Sequence, residues 1–349
     1  MNKEIKVSII CATYNHEHYI AEAIESFLLQ ITDFPYEICI HDDASTDTTT
    51  EIIRAYERNY PQLIKPIYQT ENQYSKGVKT WHSASQHATG TYIAICEGDD
   101  YWTDPYKLQK QVDYMDHHAS CSLCVHATYK VWVDGERMDS DVRPYQGNKI
   151  CTVEEVIVGG GGLFASNSMM YRRIYDLHLP DFYFNAPVGD YPLMIHLALQ
   201  GEVYYIDEWM SAYRKGVPGS WTDREFTHIE SKSRFVKQIE VMLDEINAYT
   251  HHRYVDAIRT KLKRNQLSII KQRDIMKRNQ LSIIKQRDIL KRNQLSIIKH
   301  RDINTLQLFE LRLLYADIGI KGILSKYLKQ DYPRLAQLIS TMTKKLRRR

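Results

Sequence analysis

The chain has 349 residues, of which 43% are hydrophobic, and its 46 Lys and Arg nearly balance 43 Asp and Glu. This composition is typical of folded globular proteins and excludes disordered and fibrous classes. The sequence contains no run of about 18 uncharged apolar residues, so we predict no transmembrane helix. Residues 1–6 lack a signal-peptide core, so we expect a cytoplasmic protein in which the six cysteines are buried free thiols.

Charge is distributed unevenly along the chain. Residues 1–250 carry 21 Lys and Arg against 36 Asp and Glu, whereas residues 251–349 carry 25 against 7. An acidic part and a basic part predict different tasks, with a mutual or an external electrostatic partner. The motifs that carry chemistry end near residue 225, which predicts a catalytic domain over residues 1–225 and a basic helical extension over residues 226–349.

Strands and helices alternate in the first hundred residues. Compact apolar runs at residues 6–12, 36–40, 64–69 and 91–96 predict strands. The apolar residues between these runs recur at helical spacing. This alternation is typical of an α/β domain with a mostly parallel sheet and right-handed crossovers.

Three of the predicted strands end in polar residues, at positions 13–15, 42–43 and 99–100. Because the carboxyl ends of parallel strands lie along one edge of a sheet, we expect these side chains to converge on one ligand. Carboxylate oxygens suit Mg²⁺ or Mn²⁺, and an aromatic face with a hydroxyl suits a base and its ribose. Taken alone, the turn at residues 98–100 is equally compatible with an ordinary polar turn after a strand.

The motifs at these strand ends resemble those of family 2 glycosyltransferases with the GT-A fold. The Ala-Thr-Tyr-Asn turn, the Asp-Asp-Ala-Ser-Thr-Asp segment and Gly-Asp-Asp-Tyr-Trp before Asp-Pro stand in that family's order. The resemblance covers residues 5 to about 225. It implies a GT-A-like sheet domain, followed here by an all-α extension, and an inverting, metal-dependent hexosyltransferase.

The resemblance also implies a role for each motif residue at the donor site. It assigns the metal, Mn²⁺ or Mg²⁺, to Asp100, and the ribose or phosphate of a nucleotide sugar to Asp99. Here the triad is Gly98-Asp99-Asp100, which does not fill the family's first aspartate position in the commonest way, and the part of Glu97 in metal binding stays open. The implied nucleotide pocket consists of Ala12, Thr13, Tyr14, which stacks on the base, and Asp43, which accepts a hydrogen bond from it.

A basic residue often follows the third strand in this family. Lys79 and His82 are the candidates here, and we prefer Lys79 as a donor-binding residue. The alternative is a solvated lysine in a loop.

Asp190 is a second candidate for a catalytic residue. It follows a glycine and precedes a helix, so the residues alone favour a helix cap. The resemblance instead implies the catalytic base, which takes the proton of an acceptor hydroxyl. The glycine run at residues 159–162 lacks the ending of a phosphate-binding loop and predicts close backbone approach to an acceptor, or a moving loop.

Together these features predict transfer of a sugar from a UDP-sugar to a hydroxyl of a glycan or glycoprotein. One alternative is a nucleotidyltransferase, although that class carries a glycine-rich loop after the first strand. The other is a non-catalytic assembly subunit that retains the fold and works through its C-terminal repeats.

A 14-residue repeat begins at residues 263, 277 and 291 in the basic part. Its heptad stripe predicts a homo-oligomer formed by the C-terminal helices, which pack on each other or on an acidic neighbouring surface. The basic tail at residues 343–349 predicts either peripheral contact with anionic membrane or a solvated end. We expect no nucleic-acid partner, because no recognised binding motif accompanies the charge.

Overall fold

We analysed the protein as a computed structural model that describes residues 4–218, 220, 229–271, 274, 275, 278, 282 and 286. The chain divides into two compact units, residues 1–273 and residues 274–349. The strands, helices and cavity described below belong to the first unit. Most of the predicted oligomerisation repeat, and the whole basic tail, lie outside the described residues.

The first half of the domain is a parallel sheet. Strands β1 (Val7–Thr13), β2 (Tyr36–Asp42), β3 (Ile64–Tyr68) and β4 (Tyr92–Ile95) lie in the order β3-β2-β1-β4, and all three pairings are parallel. Each crossover contains a helix, as the alternation in the sequence predicts. The crossover helices are α1 (Ile20–Leu28), α2 (Thr49–Asn59) and α3 (Thr80–Ser85).

The second half extends the same sheet with mixed pairing. Strand β8 (Met170–Arg172) is antiparallel to β4 and to β6 (Cys121–Trp132), and β6 is parallel to β9 (Glu202–Lys215). Strand β9 also pairs antiparallel with β5 (Tyr101–Trp102) and β7 (Lys149–Cys151). The sheet therefore combines parallel and antiparallel pairs.

Helices cover both faces of the sheet. Along β4, Tyr92 and Ala94 point into one core while Ile93 and Ile95 point into the other, because side chains alternate across a strand. The first core packs against α1, α2 and α4 (Lys107–His117). The second core packs against α3 and a set of later helices, which are α5 (Val153–Gly159), α6 (Asp181–Asn185) and α7 (Asp190–Gln200).

Two helices that follow residue 225 also contribute to the second core. They are α8 (Ile229–Tyr249) and α9 (residues 255–271). Leu243 and Ile246 of α8 and Ile258 of α9 are almost completely buried in that core. The predicted division at residues 225 and 226 stays a prediction, and the helices on its C-terminal side pack directly on the sheet domain.

The described residues include no helix that combines the length and the apolar character needed to cross a bilayer.

Candidate active site

Backbone hydrogen bonds join the ends of β1, β2 and β4. The amide of Asp43 donates to the carbonyl of Thr13 at 3.0 Å, and the amide of Gly98 donates to the carbonyl of Ala12 at 3.0 Å. Only glycine fits at position 98, because an added Cβ would lie 2.6 Å from Thr13 Oγ1. The glycine thus lets the turn after β4 pack directly on the end of β1.

These strand ends line a cavity of about 1190 Å³. The cavity reaches from the loop after β1 to the N-terminus of α7 and on to the helices α8 and α9. It brings together all the residues for which the sequence predicts a role in the site, which are Ala12, Thr13, Tyr14, Asp43, Lys79, Asp99, Asp100 and Asp190.

The residues predicted to bind the nucleotide differ in their exposure and in their hydrogen-bond partners. Tyr14 exposes 38% of its surface, so its ring is open to a stacking partner. Thr13 Oγ1 is buried and has no hydrogen-bond partner within the described residues. Asp43 is already engaged, because its carboxylate accepts the backbone N–H groups of Gln73 at 2.7 Å and Tyr74 at 3.0 Å. In this structure Asp43 therefore fixes the loop that closes one side of the cavity.

Three carboxylates follow β4 and differ in their surroundings. Asp100 is only 1% exposed, and its two oxygens accept hydrogen bonds from Asn167 Nδ2 at 2.9 Å and from the Arg214 amide at 2.8 Å. The side chain of Asp99 is 17% exposed and lines the cavity, with one oxygen 4.0 Å from His16 Nε2. Asp99 is therefore more accessible to a ligand than Asp100.

Glu97 completes this cluster and is held by the second half of the sheet. Its carboxylate accepts a hydrogen bond from Ser166 Oγ at 3.0 Å. Burial and the neighbouring Asp99 charge raise the pKa of Glu97 to about 8. Burial, together with the charges of Asp99 and Glu97, also raises the pKa of Asp100. Because burial and neighbouring negative charge disfavour the ionised forms of Glu97 and Asp100, a cation bound here would be stabilised.

Arg214 fixes the backbone of this turn from β9. Its side chain is 3% exposed, and its guanidinium donates to the carbonyl of Asp99 at 3.0 Å and to Glu22 at 2.5 Å. The guanidinium also lies 4.8 Å from the ring centroid of Tyr19. With these partners Arg214 holds the acidic turn in place.

Asp190 lies across the cavity at the first position of α7. One carboxylate oxygen accepts the Tyr191 amide at 2.7 Å within the first turn of the helix, and the side chain lines the cavity. Burial raises the pKa of Asp190 to about 6, although backbone hydrogen bonds and the Lys79 charge act in the opposite direction. The glycine run lies against it, since a Cβ on Gly161 would be 3.3 Å from its second oxygen.

Lys79 lines the cavity, but its ammonium group is directed at protein backbone. It donates to the carbonyls of Ala186 at 2.5 Å and Val188 at 3.0 Å. Both carbonyls belong to the segment that leads into α7 and Asp190. Lys79 therefore fixes the approach to Asp190, and its predicted contact with the donor stays a prediction.

Several cavity residues were not assigned a role from the sequence. His16 stands two positions after Tyr14, so its place in the same loop was available as a signal. Three lysines have no motif around them, and they reach the cavity through the packing of β6, α8 and α9. They are Lys130, Lys232 and Lys261.

The described residues contain no group of three or more His, Cys, Asp or Glu side chains arranged to hold a metal by themselves.

Comparison with known proteins assigns this arrangement to a family. Residues 8–176 match the model of glycosyl transferase family 2. An uncharacterized protein of Mycobacterium tuberculosis (strain ATCC 25618 / H37Rv) is 38% identical over 259 residues, which are 72% of this chain and 71% of the relative. The putative glycosyltransferase EpsE of Bacillus subtilis (strain 168) is 40% identical over 118 residues, 34% of this chain and 41% of EpsE.

A solved structure has the same fold. The crystal structure of S. aureus TarS 1-349 in complex with UDP-GlcNAc matches with a TM-score of 0.53 and 22% identity over 70% of this chain and 67% of that chain. The predicted GT-A-like class is confirmed. Family membership also places the chain among glycosyltransferases and not among nucleotidyltransferases. The chain belongs to glycosyl transferase family 2 and is a glycosyltransferase.

Proposed function

We propose that this enzyme is a metal-dependent, inverting glycosyltransferase that moves a sugar from a UDP-sugar to a hydroxyl of a glycan or glycoprotein acceptor. One observation carries the proposal: Asp190 faces the same cavity as the carboxylates that follow β4. A donor held at the strand ends would thus present its sugar to a carboxylate on the opposite wall.

The nucleotide end of the donor fits the loop after β1. The exposed ring of Tyr14 offers a face for the base, and Thr13 Oγ1 offers a hydroxyl that lacks a partner among the described residues. Base stacking on an aromatic side chain contributes about 1–3 kcal/mol. Asp43 can accept a further hydrogen bond from the base, since each carboxylate oxygen has two lone pairs.

The chemistry of the acidic cluster fits a divalent metal. Mg²⁺ is commonly bound by one or two carboxylates together with substrate phosphates and water, so a complete protein cage is not required. We propose that Asp99 is the main ligand, because its side chain is 17% exposed and lines the cavity, whereas Asp100 is 1% exposed. Bound there, the metal supplies positive charge to the departing diphosphate.

The transfer itself is a single displacement. The acceptor oxygen forms its bond to the anomeric carbon on the face opposite the diphosphate, while the bond from that carbon to the diphosphate oxygen breaks. The proton of the acceptor hydroxyl passes to Asp190, and the configuration at the anomeric carbon inverts. A carboxylate with a pKa near 6 suits this task, because it is ionised at neutral pH and still basic enough to accept a proton.

The central experiment is the substitution Asp190→Asn, combined with a screen of nucleotide sugars for Mn²⁺-dependent turnover. We expect transfer and donor hydrolysis to fall at least about 1000-fold, the scale of losing a general base together with its positioning. Donor affinity, measured by calorimetry with UDP and Mn²⁺, should stay within about twofold because Asp190 lies across the cavity from the nucleotide.

Asp181→Asn is the matched control, because Asp181 is an exposed acid in the first turn of the neighbouring helix α6. It should leave transfer unchanged. Wild-type turnover in Asp190→Asn with donor bound would refute the base assignment. Absence of donor binding and turnover in the wild type, across the screened sugars, would refute the proposed function. The cytoplasmic location, the homo-oligomer and the contact with anionic membrane remain predictions from the sequence.

A further inference from the structure

Two helices that follow residue 225 form one wall of the cavity. Helix α9 contributes Lys261, Asn265 and Ser268, which are spaced by four and three residues and therefore share one helix face. Helix α8 contributes a face of its own to the same wall. Its cavity-lining residues are Lys232, Phe235, Val236 and Ile239.

The two lysines of this wall, Lys232 and Lys261, have no acidic partner among the described residues. Lys261 donates to the carbonyl of Gly159, whereas the buried Arg214 of the same cavity is paired with Glu22. Burial lowers the pKa of both wall lysines, that of Lys261 to about 8, where the nearby Arg264 adds to the effect. A partly buried cation is stabilised when an anion binds beside it.

Lys261 is close to the groups that surround Asp190. Its ammonium nitrogen lies 3.3 Å from the carbonyl oxygen of Gly159 and 5.6 Å from the ring centroid of Tyr191. Gly161, two residues further along the glycine run, lies against the carboxylate of Asp190. An anion at Lys261 would therefore belong to the molecule whose hydroxyl meets Asp190.

We propose that the wall formed by α8 and α9 binds a phosphate group carried by the acceptor, with Lys261 as its main cation. The proposal rests on the proposed function, because it gives the acceptor of the same reaction its chemical class. Two lysines together with the amide of Asn265 and the hydroxyl of Ser268 offer several donors from one wall, which suits the multiple oxygens of a phosphate. The acceptor would thus be a polyol or sugar that bears a phosphate or phosphodiester.

Lys261 also has a purely structural interpretation. Its hydrogen bond to Gly159 places a cation at the C-terminal end of α5, where a positive charge stabilises a helix. Under that interpretation its loss would lower the melting temperature and leave anion binding unchanged. The two roles therefore differ in a binding measurement.

The test uses the full chain saturated with UDP and Mg²⁺, so that the donor's own phosphate positions are filled. Glycerol 2-phosphate is titrated by calorimetry, with glycerol as the uncharged probe and glycerate as the carboxylate probe. We expect the phosphate to bind, glycerol not to bind, and Lys261→Gln to weaken phosphate affinity at least about tenfold, as befits a lost charge-assisted hydrogen bond. Lys261→Arg should retain most of the affinity.

Lys263→Gln is the matched control, because Lys263 carries the same charge on the same helix, is exposed and does not line the cavity. It should bind the phosphate as the wild type does. Equal affinity in Lys261→Gln and wild type, tighter binding of glycerate, or no phosphate binding at all would overturn the proposal. UDP binding tests the proposed function separately. If UDP does not bind, that result counts against the proposed function, and phosphate binding is then measured without UDP.

Discussion

The cavity wall that we assign to the donor and the wall that we assign to the acceptor, called the donor wall and the acceptor wall below, differ in sequence, structure and charge. The donor wall consists of turns that follow neighbouring parallel strands, and its acids come from the first 100 residues. The acceptor wall combines the start of α7, the glycine run and two helices that lie beyond residue 225. It carries Asp190 and, on the helices, lysines without an ionic partner among the described residues.

This difference shows which contacts hold the segments of each wall in place. At the donor wall, backbone bonds between adjacent strand ends fix the turns, so each side chain has little freedom of position. At the acceptor wall, contacts between distant segments do the same work, as with Lys79 and the carbonyls before α7. We therefore expect donor-wall changes to alter nucleotide affinity and acceptor-wall changes to alter transfer.

The largest effect expected in this comparison concerns the two adjacent aspartates. Asp99→Asn should lower the metal-dependent affinity for UDP at least about 100-fold. Loss of a residue that only hydrogen-bonds to a metal ligand already costs up to about 100-fold, and loss of a direct ligand should cost no less. Asp100→Asn should instead lower stability by about 1–3 kcal/mol, because an amide cannot accept both hydrogen bonds that the carboxylate accepts. Calorimetry with UDP and Mn²⁺, and thermal unfolding, measure the two effects.

The opposite result would restore the assignment made from the sequence. If Asp100→Asn abolished metal-dependent UDP binding at an unchanged melting temperature, Asp100 would be the direct ligand. Asp99 would then have the ribose or the phosphate as its partner.

A smaller effect is expected at Lys79, which lines the cavity but supports Asp190. Lys79→Met removes two hydrogen bonds to the segment before α7 and should lower kcat about tenfold through misplacement of the base. The KM for the donor should change less than about twofold. Lys76→Met is the control, since Lys76 lies nearby, is exposed and pairs with Glu71. A rise in donor KM with unchanged kcat would show that Lys79 binds the donor.

Much of the fold and the membership of the site were predictable from the sequence. Strand–helix alternation gave the parallel half of the sheet, and polar residues at strand ends gave the donor wall. The mixed half was harder to predict, because β8 has three residues and pairs between β4 and β6, which are its neighbours only in space. Short strands carry little periodicity, so their pairing depends on contacts that the local sequence does not encode.

The orientation of individual side chains was less predictable than their presence at the site. Asp43 was expected to meet the base, yet its carboxylate holds the amides of Gln73 and Tyr74. Lys261 had no motif at all, since its position depends on how α9 packs against the glycine run. Such contacts join residues about 30 and 100 positions apart, and no local pattern records them.

The smallest expected effect is the pH dependence of kcat, which differs between the two walls. The pKa of Asp190 is raised to about 6, so the carboxylate is protonated below that value and cannot take the acceptor's proton. At saturating donor and metal, kcat should therefore be constant above pH 7, fall to about half near pH 6, and drop about tenfold for each further unit. The pKa of Glu97, raised to about 8, concerns the donor wall, and excess metal should suppress its influence on the profile.

Asp190→Glu provides the comparison for this profile. The longer acid should retain measurable transfer and move the acidic limb, because its carboxylate leaves the backbone amide of Tyr191 that favours ionisation of Asp190. The fall in kcat at low pH is due to Asp190 only if this substitution shifts it to another pH while the pH dependence of UDP affinity stays the same. A single limb near pH 8 that is unchanged in Asp190→Glu would assign the pH dependence to the acidic cluster, and transfer would then be limited at the donor wall.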